Sequence, residues 1–323
     1  VKAYRIEQDG KLGRGAIVEM EAAALDAGDV TIRTRFAGVN YKDALAGLGG
    51  APIIRRYPCN GGIEAVGQVS ESRDARFAPG AWVIVHGRGI GVSHDGGFAE
   101  TLRVPGDWVL PLPMGLSPLE AATLGVAGYS AALAVDRMEG MGLAPGAGPV
   151  VVSGATGGVG SLAVAMLARR GYAVSAVSGK PDDGFLRGLG AQEVLALPEP
   201  SSRPLEEARW AGGIDAAGGP LLEWMLRTTQ AGGVVASIGN AAGIALNTTV
   251  LPFILRGVTL TGINSDSEMP LRRRIWARLA DDLKPQGLDA MAHQIALSAL
   301  PAFMAQMLER RITGRTLVTF PEA

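Results

Sequence analysis

Ala155, Gly157 and Gly160 stand in the spacing A-x-G-x-x-G within Ser153-Gly154-Ala155-Thr156-Gly157-Gly158-Val159-Gly160. Small residues so placed let a chain turn tightly, bring its amides against a pyrophosphate and pack the next helix on the preceding strand. The amides of Ala155, Thr156, Gly157, Gly158 and Val159 are the candidate contacts, at a helix start where the macrodipole adds roughly half a positive charge. Ala in place of the first Gly fits a turn with negative φ at that position. Roughly 20 residues further on, dinucleotide sites often carry an acid for the ribose 2′-hydroxyl. Here the chain has Ser178-Gly179-Lys180. A hydroxyl and an ammonium suit a 2′-phosphate, which a carboxylate would repel, so this reading points to NADPH. Asp182 or Asp183 would supply the acid if the strand ran on, an extension that Pro181 opposes.

A glycine pattern alone says little in a chain with 46 glycines among 323 residues. Its flanks carry the argument. Val150-Val151-Val152 read as a strand, the Ala-rich run to Arg170 as a helix, and residues 173–177 as a second strand. Further strands are expected at 194–197, 213–217, 233–238 and 258–262, alternating with helices at 205–210, 221–229 and 250–255. Such alternation implies a doubly wound parallel sheet with helices on both faces. A helix at 119–137 precedes it, with Ser117 as N-cap, Pro118 at its first position and Glu120 closing a capping box.

Residues 1–112 instead show short β-prone runs between turns, clearest at 30–36, 65–69 and 81–85, with Ala78-Pro79-Gly80 as a turn. This predicts a β-rich, partly closed barrel. The tail, a helix near 302–311 and a strand at 316–320, has no slot in the parallel sheet and returns to the first domain. The boundaries read as 1–118 plus 285–323 for the β-rich catalytic domain and 119–284 for the Rossmann domain. Arg272-Arg273-Arg274 within a helix at 271–283 reads as an exposed face.

Hydrophobic content of 47% and a net charge of −1 are ordinary for a globular enzyme and argue against a nucleic-acid or membrane-surface partner. Cys59 is the sole cysteine, which excludes an internal disulfide and fits a reducing compartment. The first residues lack a signal-peptide core, and the apolar run 121–135 is shorter than the ~20 residues a membrane span needs. The expected location is the cytoplasm.

The whole chain resembles the medium-chain dehydrogenase/reductase superfamily, and within it the acrylyl-CoA reductase branch often labelled YhdH-type quinone oxidoreductase. The carrying segments are Gly38-Val39-Asn40-Tyr41-Lys42-Asp43-Ala44, His94-Asp95-Gly96-Gly97-Phe98-Ala99-Glu100, Ser178-Gly179-Lys180, Ser202-Arg203-Pro204-Leu205-Glu206, Pro252-Phe253-Ile254-Leu255-Arg256-Gly257 and Gly314-Arg315-Thr316-Leu317-Val318. The resemblance implies that the β-rich domain is GroES-like and carries the catalytic loop. It implies reduction of a small α,β-unsaturated acyl-CoA such as acrylyl-CoA to propionyl-CoA, with hydride delivered to the β-carbon. Reduction of a quinone or enal with the same cofactor is the alternative. Tyr41, Asn40 and Asp43 are the implied catalytic loop; Tyr41 would also contact the cofactor, and Asn40 and Asp43 would hold the loop rather than titrate in catalysis. Asn240, Ile254, Ser265 and Arg315 join the implied cofactor contacts.

Three departures stand out. Asn60-Gly61-Gly62-Ile63-Glu64 replaces a usual P-G-I-D, Asn240 follows Gly239 where an apolar residue is common, and the stretch 196–198 lacks an arginine often found near the cofactor phosphate. Zinc members of the superfamily carry a Cys in the Asn40–Asp43 segment and a His-Glu pair near Glu64; here those slots read Tyr and Ile-Glu. His86, His94 and His293 show no ligand spacing, so the chemistry is expected to be metal-free.

Arg55 and Arg56 are candidates for CoA phosphates. The β-branched run Val258-Thr259-Leu260-Thr261-Gly262-Ile263, as the last strand of the sheet, is an open edge suited to pairing with a second copy, so a homodimer is expected. A non-enzymatic nucleotide sensor of the same fold is the reading from another class; Tyr41 and the intact Asn40-Tyr41-Lys42-Asp43 segment favour an enzyme. Lys180→Ala should weaken NADPH binding much more than NADH binding, by about 1.5–3 kcal/mol. Equal losses for both cofactors in a binding titration would overturn the role given to Lys180.

Overall fold

The computed structural model describes residues 1–180 and 183–321, which divide into two units. One comprises Val1–Val126, Asp266–Arg274 and Gly287–Ala323; the other comprises Ala127–Ser265 and Ile275–Gln286. The assignment of 119–126 and 266–274 to the first unit, and of 285–286 to the second, differs from the boundaries read in the sequence.

The first unit starts with an antiparallel hairpin, β1 (Lys2–Asp9) and β2 (Leu12–Glu19). β3 (Val30–Gly38) follows and buries alternate residues, as a half-buried strand should. Val39-Asn40 link it to α1 (Tyr41–Gly47). β4 (Cys59–Asn60), β5 (Glu64–Ser72), β6 (Trp82–His86), β7 (Thr101–Val104) and β8 (Val109–Pro111) complete the amino-terminal strands. β4 extends the hairpin through β1, and the others join a seven-stranded sheet around β3. Val30, Ile32, Val69, Val83, Val85 and Leu102 fill its core.

α2 (Pro118–Gly140) begins with the expected capping box: Glu120 N–H donates to Ser117 Oγ at 3.1 Å and Ser117 N–H to Glu120 Oε2 at 2.8 Å. Gly125, at φ 48° and ψ −151°, interrupts it. The helix is longer than the apolar run suggests and is apolar enough to cross a bilayer, but 78% of its most apolar window is buried in the protein.

The second unit holds β9 (Val150–Ser153), α3 (Gly158–Arg169), β10 (Val174–Val177), α4 (Asp183–Gly188), β11 (Glu193–Leu195), β12 (Trp210–Asp215), α5 (Gly219–Thr228), β13 (Thr229–Ser237), α6 (Leu251–Arg256) and β14 (Thr259–Gly262). All six strands run parallel in the order β11-β10-β9-β12-β13-β14. β9, β10 and β12 are buried at every position, the signature of a sheet covered on both faces.

Residues 205–209 are not the helix that their Leu, Glu, Ala and Arg content suggests. Glu206 N–H and Arg209 N–H instead donate to the carbonyls of Arg227 and Thr228, and Trp210 opens β12, buried against Trp224. Tertiary bonds outweigh propensity there.

α7 (Met269–Leu279) continues the chain, and its Arg272 corrects the exposed-face reading. The side chain is fully buried; Nε donates to Ser267 O at 2.7 Å, one terminal nitrogen to Asp266 at 2.7 Å, and the other to the His86 carbonyl. β15 (Ala292–Ala296), α8 (Leu300–Leu308) and β16 (Arg315–Thr319) form the tail. β16 pairs antiparallel with the end of β3, which brings Arg315 beside the Gly38–Asn40 turn.

Candidate active site

In the second unit, the residues expected to meet a dinucleotide collect at the carboxyl ends of parallel strands, where doubly wound sheets bind ligands. The turn after β9 owes its shape to Gly154, at φ +58°, so Ala155 can follow without a left-handed conformation. A Cβ on Gly160 would lie 2.3 Å from Gly154 O, which shows how closely the start of α3 packs on the turn. The first turn of α3 has no intrahelical acceptors for its N–H groups. Ser178 and Lys180 follow β10, and the Ser178 hydroxyl accepts the Lys180 N–H at 3.0 Å. Burial pushes the Lys180 ammonium below its ordinary value, so a neighbouring anion would be stabilising. Pro181 and Asp182 lie outside the described residues, as does the Asp183 side chain.

Asn240 is exposed beyond β13 and Ser265 half-buried beyond β14, so both follow the same edge. Ile254 is 68% exposed on α6. Asp215, which the sequence reading missed, is fully buried at the end of β12. It accepts the Ser153 hydroxyl at 2.6 Å and the Gly218 amide at 2.9 Å, and so fixes the turn beside Gly154. An acid closing the apolar run Trp210-Ala211-Gly212-Gly213-Ile214 was the available signal.

In the first unit, Tyr41 opens α1 half-buried, and no described residue hydrogen-bonds its phenol. Asn40 and Asp43 face inward. Asp43 Oδ2 accepts the Asn40 amide at 2.9 Å and Oδ1 the Ile63 amide at 3.1 Å. Burial pushes its carboxyl up to about 7; the Asn40 amide opposes this and the Glu64 charge adds to it. Both contacts tie Asp43 to the loop, the role expected of it.

The expectation for Arg315 is corrected. Its guanidinium donates to Thr123 O (2.9 Å), Val39 O (3.3 Å), Asn40 Oδ1 (3.2 Å), Glu64 Oε1 (2.6 Å) and Ala122 O (3.5 Å), so its donors are spent inside the protein. The pairing brings Glu64 into the site: it also accepts Asn40 Nδ2 at 3.1 Å and the Val126 amide just past the kink of α2. The sequence signal was a lone acid heading the apolar run of β5.

Arg56 is engaged by Asp26 and by Ser93 O, which leaves only the exposed Arg55 of that pair for a ligand. Among the described residues no group of three His, Cys, Asp or Glu side chains is placed to hold a metal.

A parallel dinucleotide-type unit joined to an antiparallel unit is the plan of the medium-chain dehydrogenases and reductases. The alcohol dehydrogenase GroES-like domain family matches residues 26–114. The acrylyl-CoA reductase AcuI of Ruegeria pomeroyi is 42% identical over 97% of this chain and 96% of its own. The putative quinone oxidoreductase YhfP of Bacillus subtilis is 44% identical over 90% and 89%. The crystal structure of the yhdH oxidoreductase from Salmonella enterica in complex with NADP superposes with a TM-score of 0.95 at 44% identity, covering 99% of this chain and 100% of that one. That of B. subtilis yhfP with NAD bound gives 0.94 at 40%, covering 99% of each. The chain therefore belongs to the acrylyl-CoA reductase and YhdH-type quinone oxidoreductase family of this superfamily.

Proposed function

We propose that this chain is a zinc-independent, NADPH-dependent reductase of small α,β-unsaturated acyl-CoA thioesters, acrylyl-CoA being the type substrate. The observation that carries the cofactor part is the glycine turn of β9 together with Ser178 and the partly desolvated Lys180 at the end of β10. These residues fit a dinucleotide 2′-phosphate better than a bare 2′-hydroxyl. Bound there, the nicotinamide supplies the hydride that reaches the β-carbon.

The protein's own residues orient and polarise. Addition at the β-carbon drives negative charge onto the thioester oxygen, and a fixed donor lowers that cost. Tyr41 is the donor this reading assigns, because its phenol is uncommitted among the described residues and its backbone is pinned through Asn40. Names of relatives support both acceptors: AcuI is an acrylyl-CoA reductase and YhfP a putative quinone oxidoreductase. The cytoplasm remains the compartment this reading assigns. NADPH oxidation measured in parallel with acrylyl-CoA, a quinone and no acceptor should be fastest with acrylyl-CoA and unchanged after exhaustive chelation. A rate confined to the quinone would transfer the assignment to the alternative, and loss on chelation restored by zinc would overturn the metal-free mechanism.

The homodimer belongs to the same proposal. Among the described residues β14 pairs only with β13 and is an edge of the sheet. Ile244, Val250, Ile254 and Leu255, just before it in sequence, are 63–89% exposed. Apolar surface of this kind beside an open edge favours pairing with a copy of itself. The wild type should sediment as a dimer at micromolar concentration and Leu260→Pro, which removes a ladder donor, should shift it toward monomer. A monomeric wild type would contradict the pairing.

A further inference from the structure

Two carboxyls and one cation share a dry pocket beneath the catalytic loop. Asp43 and Glu64 are each 3% exposed and Arg315 is 2% exposed. Glu64 takes the guanidinium at 2.6 Å, whereas among the described residues no cationic side chain bonds to Asp43. The surrounding elements do not alter this balance. From β2, Arg14 is paired with Asp9 at 2.8 Å in solvent and Glu19 is exposed. α8 carries no charged residue along Leu300–Leu308. Tyr4 of β1 gives its phenol to Gly47 O at 3.2 Å and stays protonated, its pKa pushed up to about 12 by burial. Lys42, on α1 itself, points to solvent. One cation cannot neutralise two buried carboxylates, and the one without the cation is the one that takes up a proton.

We propose that Asp43 is a positioning residue for Tyr41 that acts as a proton-operated latch on the start of α1. Ionised, its two oxygens hold the Asn40 and Ile63 amides, one on each side of the loop that presents Tyr41. Protonated, one oxygen carries a hydrogen toward an N–H group and that bond is lost. The loop is thereby fixed in the basic form and loosened in the acid form, near the pH at which a cytoplasmic enzyme works. The proposal rests on the reading of Tyr41 as the substrate-side donor.

The same proton has the opposite effect on stability. The unfolded chain releases it at the ordinary carboxylate value and the folded chain only at about 7. Stability from this group is therefore full in acid and is lost progressively as pH rises to about 7. The latch closes at a cost to the fold.

Asp43→Asn tests this, because the amide is isosteric but cannot accept through both atoms. In the wild type, kcat at saturating NADPH should rise about tenfold as pH increases through 7, the effect of one hydrogen bond to a charged group. In Asp43→Asn it should stay at the acid-limb value throughout, while NADPH affinity is unchanged. Carbon-13 labelling of aspartate should show one carboxyl titrating near 7, absent in the variant. Amide exchange protection at residues 40–44 should rise with that titration. An unchanged pH profile in Asp43→Asn, or an Asp43 resonance that titrates in the ordinary carboxylate range, would overturn the latch. Should neither acyl-CoA nor quinone be reduced, the proposed function fails, and the resonance and exchange measurements still decide the latch. They also decide it on the wild type alone if the variant does not fold.

Discussion

The buried ion pair between Glu64 and Arg315 is what the antiparallel unit is arranged around. A guanidinium and a carboxylate taken out of water cost several kcal/mol each, repaid only when their remaining donors and acceptors are filled. Here they are filled from four separate stretches of chain: the Gly38–Asn40 turn, the start of β5, the kink of α2 and the start of β16. The space is made by missing side chains. A Cβ on Gly38 would lie 1.8 Å from Glu64 Oε1, and one on Gly125 2.2 Å from Glu64 Oε2. The loop carrying Tyr41 therefore depends on an interaction made by residues far from it in sequence.

The parallel unit solves its own positioning problem with neutral partners and one carboxylate. Asp215 gathers the Ser153 hydroxyl and the Gly218 amide where three strands end, beside the turn that Gly154 bends. Both units thus fix a backbone turn with a buried acid. In the parallel unit the acid orders the turns that follow β9 and β12. In the antiparallel unit it holds the turn that precedes Tyr41, and a second buried acid, Asp43, ties the start of α1 to Ile63.

Much of this was legible in sequence because it is local. The β9 turn and the Ser117–Glu120 capping box depend on spacing within a few residues and stand where spacing places them; the strands of the parallel sheet fall at or close to the expected stretches, and so do its expected helices apart from 205–210. What escaped was long-range. Residues 205–209 have helical composition, but the Glu206 and Arg209 amides bond to carbonyls at the end of α5, Arg227 and Thr228, which no local window contains. Arg272 reads as one of three surface arginines until the His86 carbonyl, 186 positions away, is seen to accept it. Arg315 carries the charge of a phosphate ligand, and only the fold reveals that Glu64, 251 positions earlier, has already claimed it.

The account stands on the coupling between Glu64 and Arg315, and a double-mutant cycle measures it. Equilibrium unfolding of Glu64→Gln, Arg315→Met and the double variant should show each single change costing about 3–5 kcal/mol, because each leaves a buried charge uncompensated. The double change should cost little more than either alone, a coupling of at least ~2 kcal/mol. Costs that add to within about 0.5 kcal/mol would mean the two groups act independently, and the pair would lose its place as the support of the Tyr41 loop.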